Sequence, residues 1–509
     1  MGKKRAILSV SNKEGIVDFA KGLIAAGYDI ISTGNTAKTL AESSVEHMHI
    51  EDITKFPECL DGRVKTLHPN IHGGILARRD LESHMQFLKE MNIDTIDLVC
   101  VNLYPFKQTI LGEHSLEDAI ENIDIGGPSM LRSAAKNHAA VAVVTEPADY
   151  SKILGELADG EISAKTRFEL AAKAFAHTAA YDALIAEYLM EGLDSELLPN
   201  VLTYTMEKVQ DLRYGENPHQ EAALYKNILI PNYFEQLHGK ELSFNNINDA
   251  HGAIALLAEF ENGACVAVKH ATPCGVSESD DVYEAYVKAY NCDPLAIYGG
   301  IVAVNKPVDK RSAEEMCKTF LEIVIAPEFT PEALEVFASK KNLRLLKLLD
   351  MPKSKLNQKF IHGGMLLQTA DNQLTKGLLK HMTRLHPTQG ETADMIFGYK
   401  VAKHLKSNAV AIVKDGKTLG LCGGQVSRIS ALKIAMHNAT QNFGESELRG
   451  AVLASDGFFP FGDCVEMAAK AGICAIIQPG GSINDKLSIE CADKFAISMS
   501  FAGIRHFNH

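Results

Sequence analysis

Short apolar runs alternate with helix-periodic segments along the first 150 residues of the chain. Ala6 to Val10 predicts a buried strand, and the apolar positions of residues 16–24 recur at helical spacing. A second strand is predicted at Tyr28 to Ser32, and others at Ile96 to Val101 and Ala139 to Val144. This alternation predicts a parallel sheet covered by helices, whose ligands bind beyond the carboxyl ends of the strands.

A long alanine-rich helix is predicted from about Ala164 to Met190. The sequence Leu-Leu-Pro-Asn at 197–200 then interrupts the helical pattern, because proline and asparagine favour turns. We therefore predict two domains, at residues 1–199 and 200–509.

The second part of the chain also alternates between strands and helices. Segments 264–305 and 409–455 are candidates for two copies of one α/β unit, and we place the copies at about 200–370 and 371–509. The strands predicted in this part are Ala264 to Val268, Ala409 to Val413, Ala451 to Ala454 and Ile473 to Ile477.

Composition narrows the class of protein. The 509 residues include 46% hydrophobic and 23% charged residues, which is typical of globular chains, and the net charge is -13. No basic excess is present, which argues against a nucleic-acid binder. The apolar stretch near the N-terminus is too short for a signal peptide, and no run of about 18 apolar residues predicts a membrane span. We therefore expect a cytoplasmic protein.

Candidate phosphate ligands occur at residues 62–69, Gly-Arg-Val-Lys-Thr-Leu-His-Pro. Arg63, Lys65 and Thr66 are cationic and hydroxyl donors within four residues, which suits a phosphate group. The alternative is a solvated basic turn, since lysine and arginine are usually exposed.

Two further clusters belong to the predicted sheet. Tyr104, in Asn-Leu-Tyr-Pro-Phe, follows a strand and either stands at the ligand edge or plugs the core. The sequence Asp-Ile-Gly-Gly-Pro at 124–128 opens a helix whose N–H groups suit an anion or a polarised oxygen. Arg132 and Lys136 share a face of that helix, which is otherwise an ordinary solvated basic face.

In the second part, Lys269 and His270 end a predicted strand in the sequence Lys-His-Ala-Thr-Pro-Cys-Gly. A neutral imidazole there is suited to act as a base, and the alternative is a structural role. Pro-Cys is reminiscent of the zinc loop of nucleobase deaminases, but Ser277 stands where the second cysteine belongs and no His-x-Glu lies upstream. No two of the ten cysteines are spaced Cys-x-x-Cys either, so we expect no zinc.

Aromatic residues accompany a glycine loop near the C-terminus. Residues 423–428, Gly-Gly-Gln-Val-Ser-Arg, allow close approach of the backbone to a ligand. Phe458, Phe459 and Phe461 form either an apolar slot for a flat ring or part of the core.

These clusters belong to an ordered series of motifs along the chain. The motifs are Gly-Arg-Val-Lys-Thr-Leu-His-Pro, Asn-Leu-Tyr-Pro-Phe, Asp-Ile-Gly-Gly, Ala-Lys-Asn-His, Leu-Arg-Tyr-Gly-Glu-Asn-Pro-His-Gln, Val-Lys-His, Gln-Val-Ser-Arg and Ser-Asp-Gly-Phe-Phe-Pro-Phe-Gly-Asp. Together they resemble the bifunctional formyltransferase and inosine monophosphate (IMP) cyclohydrolase family of purine synthesis, and the resemblance extends from Ser9 to His509.

The resemblance implies an α/β fold with a methylglyoxal-synthase-like N-terminal domain and a C-terminal transferase of two cytidine-deaminase-like units. It implies formyl transfer from 10-formyltetrahydrofolate to aminoimidazole carboxamide ribonucleotide (AICAR), and cyclisation of the product (FAICAR) to IMP. It also implies a homodimer with transferase sites at the interface, without zinc, nucleic acid or membrane partners. It leaves open a structural monovalent cation.

Site residues follow from the resemblance motif by motif. Matching the family's catalytic positions are Lys65, Tyr104, Asp124 and Lys136 for cyclisation, and Lys269, His270 and Asn408 for transfer. Matching its substrate-binding positions are Ser11, Lys13, Thr33, Gly34, Thr36, Arg63, Thr66, Asn102, Arg213, Tyr214, Asn246, Gly299, Glu322, Arg428, Asp463 and Arg505. Matching its folate-side positions are Ile429, Phe458, Ser482 and Ile483. Glu322 stands where some relatives carry aspartate.

A different class of protein remains as an alternative: a regulatory nucleotide-binding protein that keeps the N-terminal fold without chemistry. Pure phosphate binding does not require Lys65, Tyr104, Asp124 and Lys136, so their joint presence favours an enzyme.

Overall fold

A five-stranded parallel sheet forms the centre of the first unit, Met1–Met206, in the computed structural model, which describes residues 3–191, 193, 197–352 and 354–509. Its strands are β1 Lys4–Val10, β2 Tyr28–Ser32, β3 Met48–His49, β4 Leu98–Asn102 and β5 Ala142–Val144. Its helices are α1 Ile16–Ala25, α2 Gly34–Glu42, α3 Ile50–Thr54, α4 Pro69–Leu76, α5 Glu82–Glu90, α6 Phe106–Leu111, α7 Leu116–Glu121, α8 Gly126–Lys136, α9 Tyr150–Ala158 and α10 Ala164–Glu191, with a 3₁₀ turn at Pro147–Asp149.

The strand order of this sheet is β3-β2-β1-β4-β5, so the chain changes direction between β1 and β4. Ligands of open parallel sheets bind beyond the carboxyl ends of the strands at such a switch point. Ala6, Ile7 and Leu8 of β1 are fully buried, because helices cover both faces of the sheet. The predicted parallel α/β class is confirmed, and β1, β2, α1 and α10 match their predicted positions closely.

A twelve-stranded mixed sheet lies at the centre of the second unit, Glu207–His509, as far as the structure describes it. The strands of this unit are β6 Glu207–Leu212, β7 Ala222–Lys226, β8 Phe234–His238, β9 Ala264–Lys269, β10 Thr272–Glu278, β11 Gly300–Val304, β12 Leu321–Ala326, β13 Arg344–Leu348, β14 Leu356–Ile361, β15 Gly364–Thr369, β16 Lys380–His381, β17 Val410–Lys414, β18 Lys417–Cys422, β19 Val452–Ser455, β20 Ala475–Gln478 and β21 Ser498–Phe501. The helices are α11 Phe244–Leu257, α12 Val282–Cys292, α13 Lys310–Met316, α14 Pro331–Ala338, α15 Gln389–Lys403, α16 Arg428–Phe443, α17 Asp463–Ala471 and α18 Asp485–Lys494, with a 3₁₀ turn at Glu445–Leu448.

The large sheet consists of two halves with the same strand order. One half runs β10-β9-β11-β12-β13-β8 and the other β18-β17-β19-β20-β21-β16, and β10 pairs antiparallel with β18 where they meet. In each half a hairpin precedes three parallel strands. The candidate repeats at 264–305 and 409–455 therefore have the same order of elements, strand, strand, helix, strand. Pairs β6–β7 and β14–β15 are separate hairpins.

Helices α11 and α15 cover one face of the sheet and bury a core that both halves share. Each opposite face has a core of its own, one per half. The two helices begin in the same way, with capping boxes at Ser243 and Thr388. The predicted domain border at 199/200 precedes β6, the border at 370/371 follows β15, and both stay predictions.

A glycine occupies the same place in each half, where a hairpin strand passes under a helix. A Cβ at Gly275 of β10 would collide with the carbonyl oxygen of Ala289 in α12. A Cβ at Gly420 of β18 would collide in the same way with Ala435 in α16. Both helices therefore approach the sheet at a distance that excludes a side chain.

We expect Gly275→Ala and Gly420→Ala each to lower the free energy of unfolding by about 1–3 kcal/mol, because the added methyl group overpacks a backbone contact. Urea unfolding followed by circular dichroism measures the shift in midpoint. Gly390→Ala is the matched control, since Gly390 is exposed in α15 with open space around it. Equal midpoints for all three variants would contradict the close-packing argument.

Candidate active sites

A cleft of about 700 Å³ opens at the carboxyl ends of β1, β2 and β4 in the first unit. Its position agrees with the rule for ligand sites in parallel sheets. The predicted site residues that line the cleft are Ser11, Lys13, Thr33, Gly34, Thr36, Arg63, Lys65, Thr66, Asn102, Tyr104 and Asp124.

Hydrogen bonds hold the loops after β1, β2 and β4 together. The hydroxyl oxygens of Ser9 and Thr33 lie 2.7 Å apart, and the Thr36 hydroxyl accepts from the Val10 N–H at 3.0 Å. The Asn102 side-chain oxygen accepts from the N–H groups of Ser11 and Asn12. Because α2 begins at Gly34, the first N–H groups of that helix lie beside these loops, which suits an anion.

Three cations line the cleft. Lys65 Nζ lies 3.0 Å from the Glu58 carboxylate, and Arg63 forms an ion pair with Glu121. Lys13 donates to the Val10 carbonyl, and burial lowers the pKa of its ammonium group. The two ion pairs hold the side chains of Arg63 and Lys65 near the cleft before a ligand binds. An incoming anion must compete with the two carboxylates for these cations.

Asp124 lies half-buried at the start of α8. Its carboxylate accepts from the Gly127 N–H at 2.8 Å and from the Tyr104 N–H at 3.4 Å. Burial raises the pKa of the Asp124 carboxyl, although these two N–H groups oppose the shift. A carboxyl whose pKa lies above the ordinary range is better suited to proton transfer near neutral pH.

Gly126 and Gly127 allow this close packing. A Cβ at Gly126 would lie 2.6 Å from the Thr66 hydroxyl, and one at Gly127 would lie 2.5 Å from the Asp124 carboxylate. The two glycines therefore bring the start of α8 against both Thr66 and Asp124.

Tyr181 supports Asp124 and is a residue that sequence reasoning missed. Its hydroxyl accepts from the Asp124 N–H at 2.8 Å and donates to the Asn122 carbonyl at 3.1 Å. Burial raises its pKa to about 12, so the hydroxyl stays protonated. The available signal was a polar aromatic on the buried face of the alanine-rich helix, but nothing in the sequence shows which loop it contacts.

The predicted catalytic residue Lys136 lies at the other end of α8 from the cleft, and its role stays a prediction. It is exposed at the last turn of α8, roughly 15 Å along the helix from Gly126. It lines a second cavity of about 600 Å³ with Arg132, Phe168 and Phe175, and is not among the residues that line the cleft. Helical spacing predicted that Lys136 and Arg132 share a face of α8. It did not predict that the cleft lies at the first turn of this helix and Lys136 at the last.

The predicted transferase residues fall into two groups at one edge of the large sheet. The first group, which we name the histidine cluster, lies at the end of β9 and the starts of α11, β11 and β12. The second, the arginine cluster, lies at the start of β17 and beyond the ends of β18 to β21. The histidine cluster contains Arg213, Tyr214, Asn246, Lys269, His270, Gly299 and Glu322, and the arginine cluster contains Asn408, Arg428, Ile429, Phe458, Asp463, Ser482, Ile483 and Arg505.

In the histidine cluster, Lys269 Nζ donates to the Tyr298 carbonyl at 2.5 Å. A Cβ at Gly299 would lie 3.1 Å from that nitrogen, so the absence of a side chain there leaves room for the ammonium group. His270 is exposed in the turn after β9. The Arg213 guanidinium lies 5.0 Å from the centre of the Tyr214 ring.

Two residues of the histidine cluster also have structural contacts. Asn246 completes the capping box of α11, accepting from the Ser243 N–H at 3.1 Å. Glu322 forms an ion pair with the largely buried Arg344, at 2.7 Å. Glu322, one methylene longer than the aspartate of some relatives, therefore links β12 to β13 through this ion pair.

In the arginine cluster, Arg428 contacts Asp456, which is fully buried, and the Ser455 hydroxyl at 3.0 Å. Asp456 also accepts from Ser407 and from the Ala409 N–H. Asn408 donates to the Gln425 carbonyl at 2.8 Å. Asp456 therefore fixes both Arg428 and the segment that contains Asn408, although sequence reasoning did not assign it to the site.

The three phenylalanines of the arginine cluster separate by environment. Phe459 is fully buried in the core, Phe458 is half-buried and Phe461 is exposed. Of the three rings, Phe458 is therefore the one that lies at the boundary between core and surface, where one face of it can contact a ligand. Ile483 is fully exposed beside Ser482.

The two clusters lie at different places along the edge of the large sheet. Lys269 ends β9 and Asn408 precedes β17, and β9 and β17 are three strand spacings apart, about 14 Å.

Two further statements hold for the part of the chain that the structure describes. No helix there is long and apolar enough to cross a membrane. No group of three or more histidine, cysteine, aspartate or glutamate side chains there is arranged to hold a metal ion.

Comparison with known proteins gives two family matches. Residues 134–438 match the model of the AICARFT/IMPCHase bienzyme, and residues 15–129 match that of the MGS-like domain. Similar proteins include three described as bifunctional purine biosynthesis protein PurH. They come from Acetivibrio thermocellus (54% identical, covering 99% of this chain and 100% of that protein), Thermoanaerobacter sp. strain X514 (55%, 99% and 100%) and Bacillus cytotoxicus (53%, 100% and 100%).

We expect Tyr181→Phe to loosen the loop at 122–127, because the variant leaves the Asp124 N–H and the Asn122 carbonyl without their partner. The expected loss of stability is about 1–3 kcal/mol. Hydrogen–deuterium exchange of this loop measures the effect. Tyr188→Phe is the matched control in α10, since its hydroxyl contacts His114 at 2.9 Å instead. Similar exchange in both variants would show that Tyr181 does not hold the loop.

Proposed function

Because the chain belongs to the AICARFT/IMPCHase bienzyme family, we propose which of its residues perform the two reactions of that enzyme. The protein transfers a formyl group from a folate cosubstrate to AICAR and cyclises the product FAICAR to IMP with loss of water, in purine synthesis. We assign 10-formyltetrahydrofolate as the donor. Its partners in this proposal are AICAR, FAICAR, IMP and reduced folate, in the cytoplasm.

One observation supports the assignment of cyclisation to the first unit most strongly. The cleft brings Lys65, Tyr104 and Asp124 together beside loops rich in hydroxyl and N–H donors. Those loops suit the phosphate of a nucleotide, and the three reactive side chains lie where its base would extend.

Cyclisation joins two groups of one molecule, so it needs orientation and proton transfer. The carboxamide nitrogen attacks the formyl carbon, a C–N bond forms, and the carbonyl oxygen becomes a tetrahedral oxyanion. Lys65 neutralises that oxygen, and the raised pKa of Asp124 allows it to exchange protons during loss of the oxygen as water. Tyr104, 47% exposed, is placed to assist the transfer. Lys136 is left out, because its position on α8 does not support contact with the cleft of its own chain.

Formyl transfer requires a base, because the aromatic amine of AICAR is a weak nucleophile. We assign His270 to remove the amine proton as the C–N bond to the formyl group forms. Lys269 and Asn408 stabilise the oxyanion or protonate the departing folate nitrogen. Arg213, Tyr214 and Arg428 bind the nucleotide, and Phe458 lies on the folate side.

The separation of the histidine and arginine clusters supports a site shared between two copies of the chain. Lys269 and Asn408 are assigned to one reaction, yet the strands that carry them, β9 and β17, lie about 14 Å apart in the sheet. We therefore propose a homodimer in which the histidine cluster of one copy faces the arginine cluster of the other.

Exposed apolar residues of the second unit give independent support for a dimer. Hairpin β14–β15 lies outside the large sheet and exposes Phe360, Ile361 and Leu366. A lone two-stranded hairpin is marginally stable in water, so cover from a second copy would stabilise it. The proposal includes no zinc, nucleic acid or membrane, and leaves a structural monovalent cation open.

His270→Ala is expected to lower the rate of formyl transfer by about 10²–10⁴-fold, the usual contribution of a general base. Cyclisation of supplied FAICAR should stay normal, because that site lies in the other unit. Asp124→Asn should show the reverse pattern. Ultraviolet absorbance follows tetrahydrofolate and IMP separately. Loss of both activities in either variant would contradict two independent sites, and normal transfer in His270→Ala would reject its role as base.

Mixing His270→Ala with Asn408→Ala is expected to restore transferase activity. After subunit exchange each mixed dimer contains one site with both residues intact, so an equal mixture should reach roughly one quarter of the wild-type rate. Each variant mixed with itself is the control, and light scattering after gel filtration measures the oligomeric state. A monomer, or a mixture as inactive as its components, would contradict the shared site.

A further inference from the structure

The turn that contains His270 has an unusual backbone. Lys269 of β9 pairs with Thr272 of β10, so His270 and Ala271 form a two-residue hairpin turn. Their φ angles are 51° and 55°, both in the left-handed region. Such turns are usually built from Asn-Gly or Asp-Gly, because other side chains are strained there.

The second half of the sheet contains the matching turn. Lys414 of β17 pairs with Lys417 of β18, and Asp415 and Gly416 between them have φ angles of 50° and 65°. Here the residues are the favoured Asp-Gly pair. The two turns therefore have the same backbone but different residues, and the turn with the unfavourable residues is the one beside Lys269.

A carboxylate from the preceding helix holds each turn. Asp394 of α15 accepts from the N–H groups of Asp415 and Gly416, each at 2.9 Å. Asp249 of α11 accepts from the Ala271 N–H at 2.8 Å. Each aspartate is the sixth residue of its helix. The contact is thus repeated between the halves.

The contact has a different consequence in each half. Asp415-Gly416 adopts the left-handed conformation readily, so Asp394 adds stability to a turn that is already favourable. His270-Ala271 does not, so the hydrogen bond from the Ala271 N–H to Asp249 stabilises a turn that its own residues disfavour. Strain of this kind persists where the surrounding structure fixes it, and it is frequent at functional sites.

We propose that Asp249 is a positioning residue for formyl transfer, which fixes the strained turn and thereby directs the His270 side chain toward the substrate amine. The inference rests on the proposed role of His270 as base. Asp249 itself touches neither substrate. Burial raises the pKa of its carboxyl, and the hydrogen bond from the Ala271 N–H opposes this shift most strongly.

Asp249→Asn tests the inference, because asparagine keeps the shape but replaces the charged acceptor of the Ala271 N–H with a neutral amide, which weakens that hydrogen bond. We expect kcat for formyl transfer to fall on the order of 10–100-fold, the effect of misplacing a catalytic group by about 1 Å. The KM for AICAR and the rate of cyclisation should stay unchanged.

Asp394→Asn is the matched control in the same protein. It weakens the same contact at the opposite edge of the sheet, so it should leave formyl transfer at the wild-type rate. A second substitution should rescue the variant. Ala271→Gly removes the strain at the left-handed position and should restore most of kcat in the Asp249→Asn background. An equal loss of transfer in Asp394→Asn, or no loss in Asp249→Asn, would overturn the inference.

A double-mutant cycle separates this inference from the assignment of the base. If Asp249 acts through His270, Asp249→Asn should cause no further loss of rate in the His270→Ala background. A full additional loss there would overturn the positioning role while leaving His270 as base. A normal rate in His270→Ala alone would instead reject the base, and the inference with it.

Discussion

The pairing of β10 with β18 is the constraint on which the second unit depends. One backbone register, Ser277 opposite Lys417, joins the two halves of the large sheet. The fully buried Thr418 strengthens this contact, since its hydroxyl accepts from the Val276 N–H at 2.9 Å and donates to the Val276 carbonyl at 3.1 Å. Because the strands are antiparallel there, the end of β9 and the start of β17 face the same edge. The pairing thus places the histidine cluster and the arginine cluster at the same edge of the sheet and sets the distance between them.

Local pattern was sufficient to predict much of the fold. β1, β2 and α1 follow from apolar spacing, because helices bury both faces of the parallel sheet and leave a continuous apolar run. The repeat within the second unit was visible only as a weak correspondence, since the order of strands is conserved between the halves while the residues are not. The hairpins β6–β7 and β14–β15 were not predicted, because their largely exposed residues lack the alternation that one buried face produces.

The cleft residues were predicted through ordered motifs, whereas the residues that support them were not. Tyr181 and Asp124 are distant in sequence, as are Arg428 and Asp456 or Asp249 and Ala271, and each pair meets only through the fold. The distance of Lys136 from the cleft was not predictable for the same reason. Helical spacing shows which side chains share a face, but only the packing of α8 shows that its first turn meets the cleft and its last turn does not.

The repeated turns illustrate what duplication offers to an enzyme. A strained backbone position costs on the order of 1–3 kcal/mol, which the surrounding structure must offset. In this chain the halves share the core beneath α11 and α15, so the relaxed Asp415-Gly416 hairpin and its neighbours support a framework to which the His270-Ala271 hairpin also belongs. The favourable hairpin of one half and the strained hairpin of the other therefore rest on a single apolar layer.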